Sequence, residues 1–258
     1  MKGVQIFLHS LNQVLGNLPN AIKVSALPYA IQFLVSFFLT RPDKMMALAS
    51  DPMAMMQGGP SAVAQLLSLI VTVATSVWIA VAWHRFVLLR EAPAGFVPAI
   101  HSDRMLGYFL RALGVIVICF VIGLVLGFIA GLIGGALAYA TGSIVLTLIV
   151  VAILVYFPAF VIAYRLSTAL PAPAVTSDPV PFMAGWEATK GQTEAFIGLG
   201  IISAAVIFIN GFIALYVLSG SIVLFLAWSI VFNWLATMVG LSILTTLYGH
   251  YIEKRPLV

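Results

Sequence analysis

Residues 105 to 138, MLGYFLRALGVIVICFVIGLVLGFIAGLIGGALA, place glycine at positions 123, 127, 131 and 135 within an apolar run long enough to cross a bilayer. Four residues are just over one helical turn, so Gly123, Gly127, Gly131 and Gly135 form one smooth stripe against which another helix packs closely. In water, each glycine inside a helix costs about 1 kcal/mol relative to alanine. In lipid nothing competes for the backbone, and the same glycines become a helix-packing groove. The spacing therefore predicts a membrane span that serves as the spine of a helical bundle. A neighbouring span is its first expected occupant; a partner membrane protein, or a second copy forming a homo-oligomer, is the next.

Composition excludes a globular alternative. Only 8% of the residues are charged and 62% are hydrophobic, against about 25% charged in an ordinary soluble domain. The apolar runs follow one another without a soluble-sized interruption, so residues 1–258 read as a single membrane domain. The net charge of +4 does not point to nucleic acid, because the basic residues stand singly at the ends of apolar runs. The lone Cys119 excludes an intrachain disulfide and a cysteine-built metal site. After Lys2, the residues His9, Asn12, Gln13 and Asn17 interrupt what would be the apolar core of a signal sequence, so no cleavable leader is expected.

Six spans are expected, at about 22–40, 61–81, 112–138, 144–163, 196–217 and 222–247, giving an all-α polytopic bundle of three hairpins. Residues 3–18 set Val4, Phe7, Leu8, Leu11, Val14, Leu15 and Leu18 against Gln5, His9, Asn12, Gln13 and Asn17, the pattern of an interfacial amphipathic helix lying flat. Span two is expected to end in a headgroup anchor, Trp83-His84-Arg85. The connection after span four, LSTALPAPAVTSDPVP, reads as extended chain. Ten Lys and Arg fall on the side of the two termini and only Arg41 and Lys44 on the other, which predicts cytoplasmic N- and C-termini. The even spans end in similar aromatic and basic residues 80 to 85 positions apart, Arg85, Arg165 and His250, which suggests three parallel hairpin repeats.

Chemistry is sparse. Intramembrane ionisable groups cost about 2.5 to 3.5 kcal/mol and mark ion-coupled transport or hydrolysis. None is placed away from the helix ends, so neither activity is expected, nor any cofactor. Asn210 and Asn233 are the deepest strongly polar side chains, at similar depth in spans five and six, and are expected to hydrogen-bond to each other. They would otherwise line a substrate cavity. Met45, Met46, Met53, Met55 and Met56 crowd the first loop; thioethers are soft ligands suited to Cu(I). No His or Cys joins them, and adaptable apolar surface is the simpler use. His84, His101 and His250 are expected at headgroup contacts on the inner side.

The segment Arg165-Leu-Ser followed by Pro171, then Gly185-Trp186-Glu187-Ala188-Thr189-Lys190-Gly191 before a span, resembles six-span bacterial inner-membrane proteins of the YciC type and the membrane domain attached to some glycerophosphodiesterases. The resemblance covers mainly the second half and implies a bacterial inner-membrane location with no established reaction. The phosphodiesterase domain is missing from this sequence, so that activity does not carry over. The expected role is a scaffold or accessory protein in contact with membrane lipids and partner helices. A transporter or lipid-handling protein for an uncharged or amphiphilic substrate is the alternative.

Overall fold

The computed structural model describes residues 2–40, 61–218 and 220–257, and every apolar run within them is helical. Helices α1 (Lys2–Leu15) and α2 (Leu18–Thr40) open the chain. Three long helices follow, α3 (Ala62–Leu89), α4 (Ser102–Thr141) and α5 (Ile144–Ser167). Two short ones, α6 (Ala172–Val175) and α7 (Ala184–Ala188), interrupt the next connection. Helices α8 (Thr193–Phe212) and α9 (Ile222–Leu247) each continue into one π-helical turn, Ile213–Val217 and Tyr248–Ile252. Six helices are long and apolar enough to cross a membrane, so the protein is an all-α polytopic membrane bundle.

Local chemistry sets the boundaries. Spans two, four and six each begin at a serine whose hydroxyl accepts a hydrogen bond from the backbone three residues on: Ser61 from Ala64, Ser143 from Leu146 and Ser221 from Leu224. Each cap satisfies an amide that helical geometry leaves without a partner. Between α4 and α5 the chain reverses at Gly142, whose φ of +67° suits glycine.

The first two hairpins are closely packed pairs, α2 on α3 and α4 on α5. The third is held open at its base, because α1 inserts there and touches both α8 and α9. This changes the reading of α1. Its buried face is Gly3, Ile6, Ser10 and Val14, whereas Val4, Leu8 and Leu15 are exposed. The helix thus has three faces, one docked on the bundle, one apolar and free, and one polar. The docked face approaches closely: a Cβ on Gly3 would lie 2.6 Å from the backbone nitrogen of Leu199. Ser10 Oγ gives its proton to the carbonyl of Ile6 and accepts from Thr246 Oγ1 at 3.0 Å, fixing the register.

The main core gathers at the end of the bundle that carries both chain ends, around Ile6, Val14, Ile79, Trp83, Phe196, Leu199, Met238 and Leu247. Two expectations fail here. Helix α3 runs to Leu89, about 42 Å at 1.5 Å per residue, so Trp83 and His84 are not at its end. Both are fully buried and form core, not a headgroup anchor. The stretch from Leu166 to Ala174 is also not extended. Thr168, Ala169, Ala172 and Ala174 are buried, and Leu170 and Ala174 pack with Val77, Ala80, Val81 and Tyr108. Small side chains let this segment press against α3 and α4 where larger ones would hold it away.

Candidate functional site

The polar groups of the bundle are concentrated in the same end. Trp83 Nε1 donates to Ser242 Oγ at 2.9 Å, joining α3 to α9. One turn of α9 further on, Thr245 Oγ1 donates to the carbonyl of Leu241, which commits its only proton. The contact of 2.8 Å between Thr245 Oγ1 and His84 Nδ1 must then be donated by the imidazole. That tautomer leaves Nε2 as an acceptor for the Tyr108 hydroxyl at 3.3 Å. His84 is a neutral, fully partnered core residue linking α3, α4 and α9. Trp234 Nε1 bonds Ser25 Oγ at 2.8 Å and the Tyr29 hydroxyl bonds the carbonyl of Ile230 at 3.1 Å, tying α2 to α9 in the same manner.

Below this network, arginines hold the connection after α5 by its carbonyl groups. Arg85 Nη1 donates to the carbonyl of Ala174 at 2.9 Å. Arg104 Nη1 reaches that of Thr176 at 2.6 Å, and Arg111 reaches those of Val180, Pro181 and Phe182. The guanidinium fork suits this task, because its donors lie in one plane at fixed spacing and meet several acceptors at once. Arg85 also pairs with Glu91 at 2.6 Å, and His101 Nε2 stands 3.0 Å from the other oxygen of that carboxylate. Partial burial works to raise the Glu91 carboxyl, but the hydrogen bonds and charges of Arg85 and His101 outweigh it and hold it below the usual carboxylate range.

The residues that carry the family resemblance meet in one knot. The Arg165 guanidinium lies 4.0 Å from the centre of the Trp186 ring, and Nε donates to Thr189 Oγ1 at 3.1 Å. Thr189 is fully buried. A Cβ on Gly185 would be 2.8 Å from both the carbonyl oxygen of Arg165 and the amide nitrogen of Ala169, so α7 crosses the end of α5 in backbone contact. Gly191, with φ of +75°, turns the chain into α8.

The glycine ladder is placed otherwise than expected. No atom of the described residues comes within 4 Å of a Cβ built at Gly123, Gly127, Gly131 or Gly135. The α4–α5 pair uses the neighbouring stripe instead: Ala130 and Gly134 are buried, and a Cβ on Gly134 would stand 2.9 Å from Val151 Cγ2. One residue is 100° of helical rotation, so the internal seam is Ala130–Gly134 and the ladder faces outward. Asn210 and Asn233 do not pair either. Asn210 Oδ1 accepts from Trp228 Nε1 at 2.9 Å, which closes the outer end of the third hairpin. Asn233 is exposed and donates to the carbonyl of Ser229 in its own helix at 2.7 Å. The five methionines of the first loop lie outside the described residues. Among the described residues, no three of His, Cys, Asp and Glu stand close enough together to hold a metal ion.

A groove absent from the sequence reading opens between α3 and α4. It measures about 570 Å³ and is lined by Leu69, Val73, Val77, Met105, Leu106 and Phe109 among others, nearly all apolar. The buried hydroxyl partners Ser25, Ser242, Thr245 and Thr246 are the other group that the sequence did not reveal; their only signal was their presence in spans that otherwise read as apolar. In comparisons with known proteins, the chain matches no family model, no curated protein and no solved structure.

Proposed function

We propose that this chain is a membrane scaffold or accessory protein without catalytic activity of its own, which holds a partner membrane helix or a second copy along Gly123, Gly127, Gly131 and Gly135. The observation that carries the reading is the open ladder: its own bundle packs through Ala130 and Gly134 and leaves the adjacent stripe free. Small residues facing lipid offer the close backbone approach on which helix association in membranes depends. The setting we propose is the bacterial inner membrane with both termini cytoplasmic, supported by the ten-to-two distribution of Lys and Arg. Mass measurement of the purified chain in mild detergent tests this. The wild type should run with an added helix-bearing subunit, and Gly127→Leu should run alone with its melting temperature within about 2 °C of wild type. Equal masses for the two proteins would remove the proposal.

A second reading, lipid handling, has its own observation in the apolar groove between α3 and α4, whose volume lies within the roughly 300–1,000 Å³ usual for ligand pockets. Ala74→Trp would fill it. Loss of a co-purifying acyl lipid in that variant, with the glycine-dependent assembly intact, would favour this reading over the scaffold.

A further inference from the structure

Two buried side-chain polar atoms among the described residues have no hydrogen-bond partner, the Tyr251 hydroxyl and Gln13 Oε1. Such atoms are rare, because leaving one dry and unpaired costs about 1 to 3 kcal/mol. Here both belong to residues lining two adjoining pockets at the end of the bundle that carries the chain termini. Tyr251, only 5% exposed, lines the first, which measures about 390 Å³. Gln13 lines the second, of about 300 Å³, and the two share His250, Arg255 and Pro256.

The first pocket is basic. Lys2, Lys190, Lys254 and Arg255 line it, and no acidic residue does. Two of these cations are already neutralised, Lys190 by Glu187 and Arg255 by Glu253. The other two have only neutral partners: Lys2 Nζ donates to Gln192 Oε1 at 3.2 Å, and Lys254 Nζ to the carbonyl of Tyr251 at 2.9 Å. An ammonium has three donors, so each retains two donors and a full charge. Lys254 is held there at some expense. Its φ of +59° is a left-handed conformation that a residue with a Cβ seldom adopts. The turn brings Arg255 back so that its amide bonds the carbonyl of Gly249 and its Nη2 that of Leu88 at 3.0 Å. Lys2 and Lys254 thus converge on one concave surface with spare positive charge.

We infer that this pocket binds a phosphate group, held by the ammonium groups of Lys2 and Lys254. Phosphate oxygens accept from both ammonium groups, which also compensate the charge. The group arrives either on a lipid headgroup or as a free anion. This site does not depend on the glycine ladder.

The test uses the full chain in phosphatidylcholine nanodiscs and a fluorescent phosphatidic acid as probe. The Lys2→Gln/Lys254→Gln double variant should bind it about thirtyfold more weakly. Lys2→Arg/Lys254→Arg should retain most of the affinity, which separates lost charge from lost fold. Tyr251→Phe is the control for a change confined to the sealed interior: it removes an unpaired buried hydroxyl, so binding should be unchanged and the melting temperature of the unliganded protein unchanged or higher. Competition by inorganic phosphate at comparable concentration identifies a free anion as the ligand, and competition by phosphatidic acid alone identifies a lipid headgroup. Undiminished binding in the Lys→Gln double variant, or equal competition by phosphatidylcholine, overturns the assignment.

Discussion

Trp83→Phe separates two physical roles for the tryptophan near the end of span two. An indole at the headgroup boundary exchanges for a phenyl ring with little change, whereas the structure places Trp83 at 0% exposure with its N–H on Ser242. The substitution removes one interhelical hydrogen bond, about 0.6 to 1.7 kcal/mol in a membrane protein. It also removes ring volume from a site that cannot collapse freely, adding about 1 to 2 kcal/mol. A total of about 1.6 to 3.7 kcal/mol follows from these two contributions. Ser242→Ala, at an equally buried position, leaves the indole N–H without an acceptor and costs about 1 to 3 kcal/mol. The double variant should then show a coupling of about 1 kcal/mol, because the second change removes a bond already lost. Reversible unfolding in mixed detergent micelles, or steric trapping in bicelles, measures all four corners of the cycle. A coupling of zero, or a Trp83→Phe cost below about 0.5 kcal/mol, would mean that the ring is an interchangeable surface anchor.

Other substitutions test the remaining contacts. Gly185→Ala puts a methyl group against the backbone of α5 and should destabilise by about 1 to 3 kcal/mol; Gly211→Ala, where nothing lies within 4 Å, should stay within about 0.5 kcal/mol of wild type by the same unfolding assay. Arg165→Lys loses the planar contact with Trp186 and the forked bonds to Thr189, and should lower stability by about 1 to 2 kcal/mol although charge is kept. A double-mutant cycle on Asn210 and Trp228 should give a measurable coupling, and one on Asn210 and Asn233 none. The Glu91 carboxyl is depressed in the folded protein, so the unfolded chain takes up its proton first as pH falls. Its contribution is therefore complete above the ordinary value of 4.5 and is lost as pH drops through the depressed one; melting temperatures across that window should fall more steeply for wild type than for Glu91→Gln.

The fold class was legible because a bilayer imposes a length, and six runs of apolar residues meet it. Which face of each span turns inward was not legible for the same reason. Lipid and protein interior are equally apolar, so the sequence of α4 offers no polarity contrast to distinguish Gly134, packed on Val151, from Gly135, which meets nothing. Trp83 and His84 were misjudged because their partners, Ser242 and Thr245, are some 160 residues away and no local pattern announces them. The buried segment after α5 was read as extended from its prolines and small residues. What folds it is remote: Arg85, Arg104 and Arg111 supply donors to its carbonyl groups, a role that their places at a span end and in a polar connection do not announce. Arg165, Gly185, Trp186 and Thr189 stand out in the sequence only as residues of the resemblance, and nothing in their spacing announces that they meet.

The insertion of α1 between α8 and α9 joins segments far apart in the sequence. During synthesis the first helix emerges long before residues 193 to 247 exist, and for that interval Gly3, Ile6, Ser10 and Val14 have no surface to rest on. Helix α1 must wait at the membrane until α8 and α9 have been delivered, so its docking is completed only after residue 247 has been made. A polypeptide stopped before α9 would leave its amino-terminal helix undocked, and the loss of Ser10–Thr246 contact would report an unfinished product.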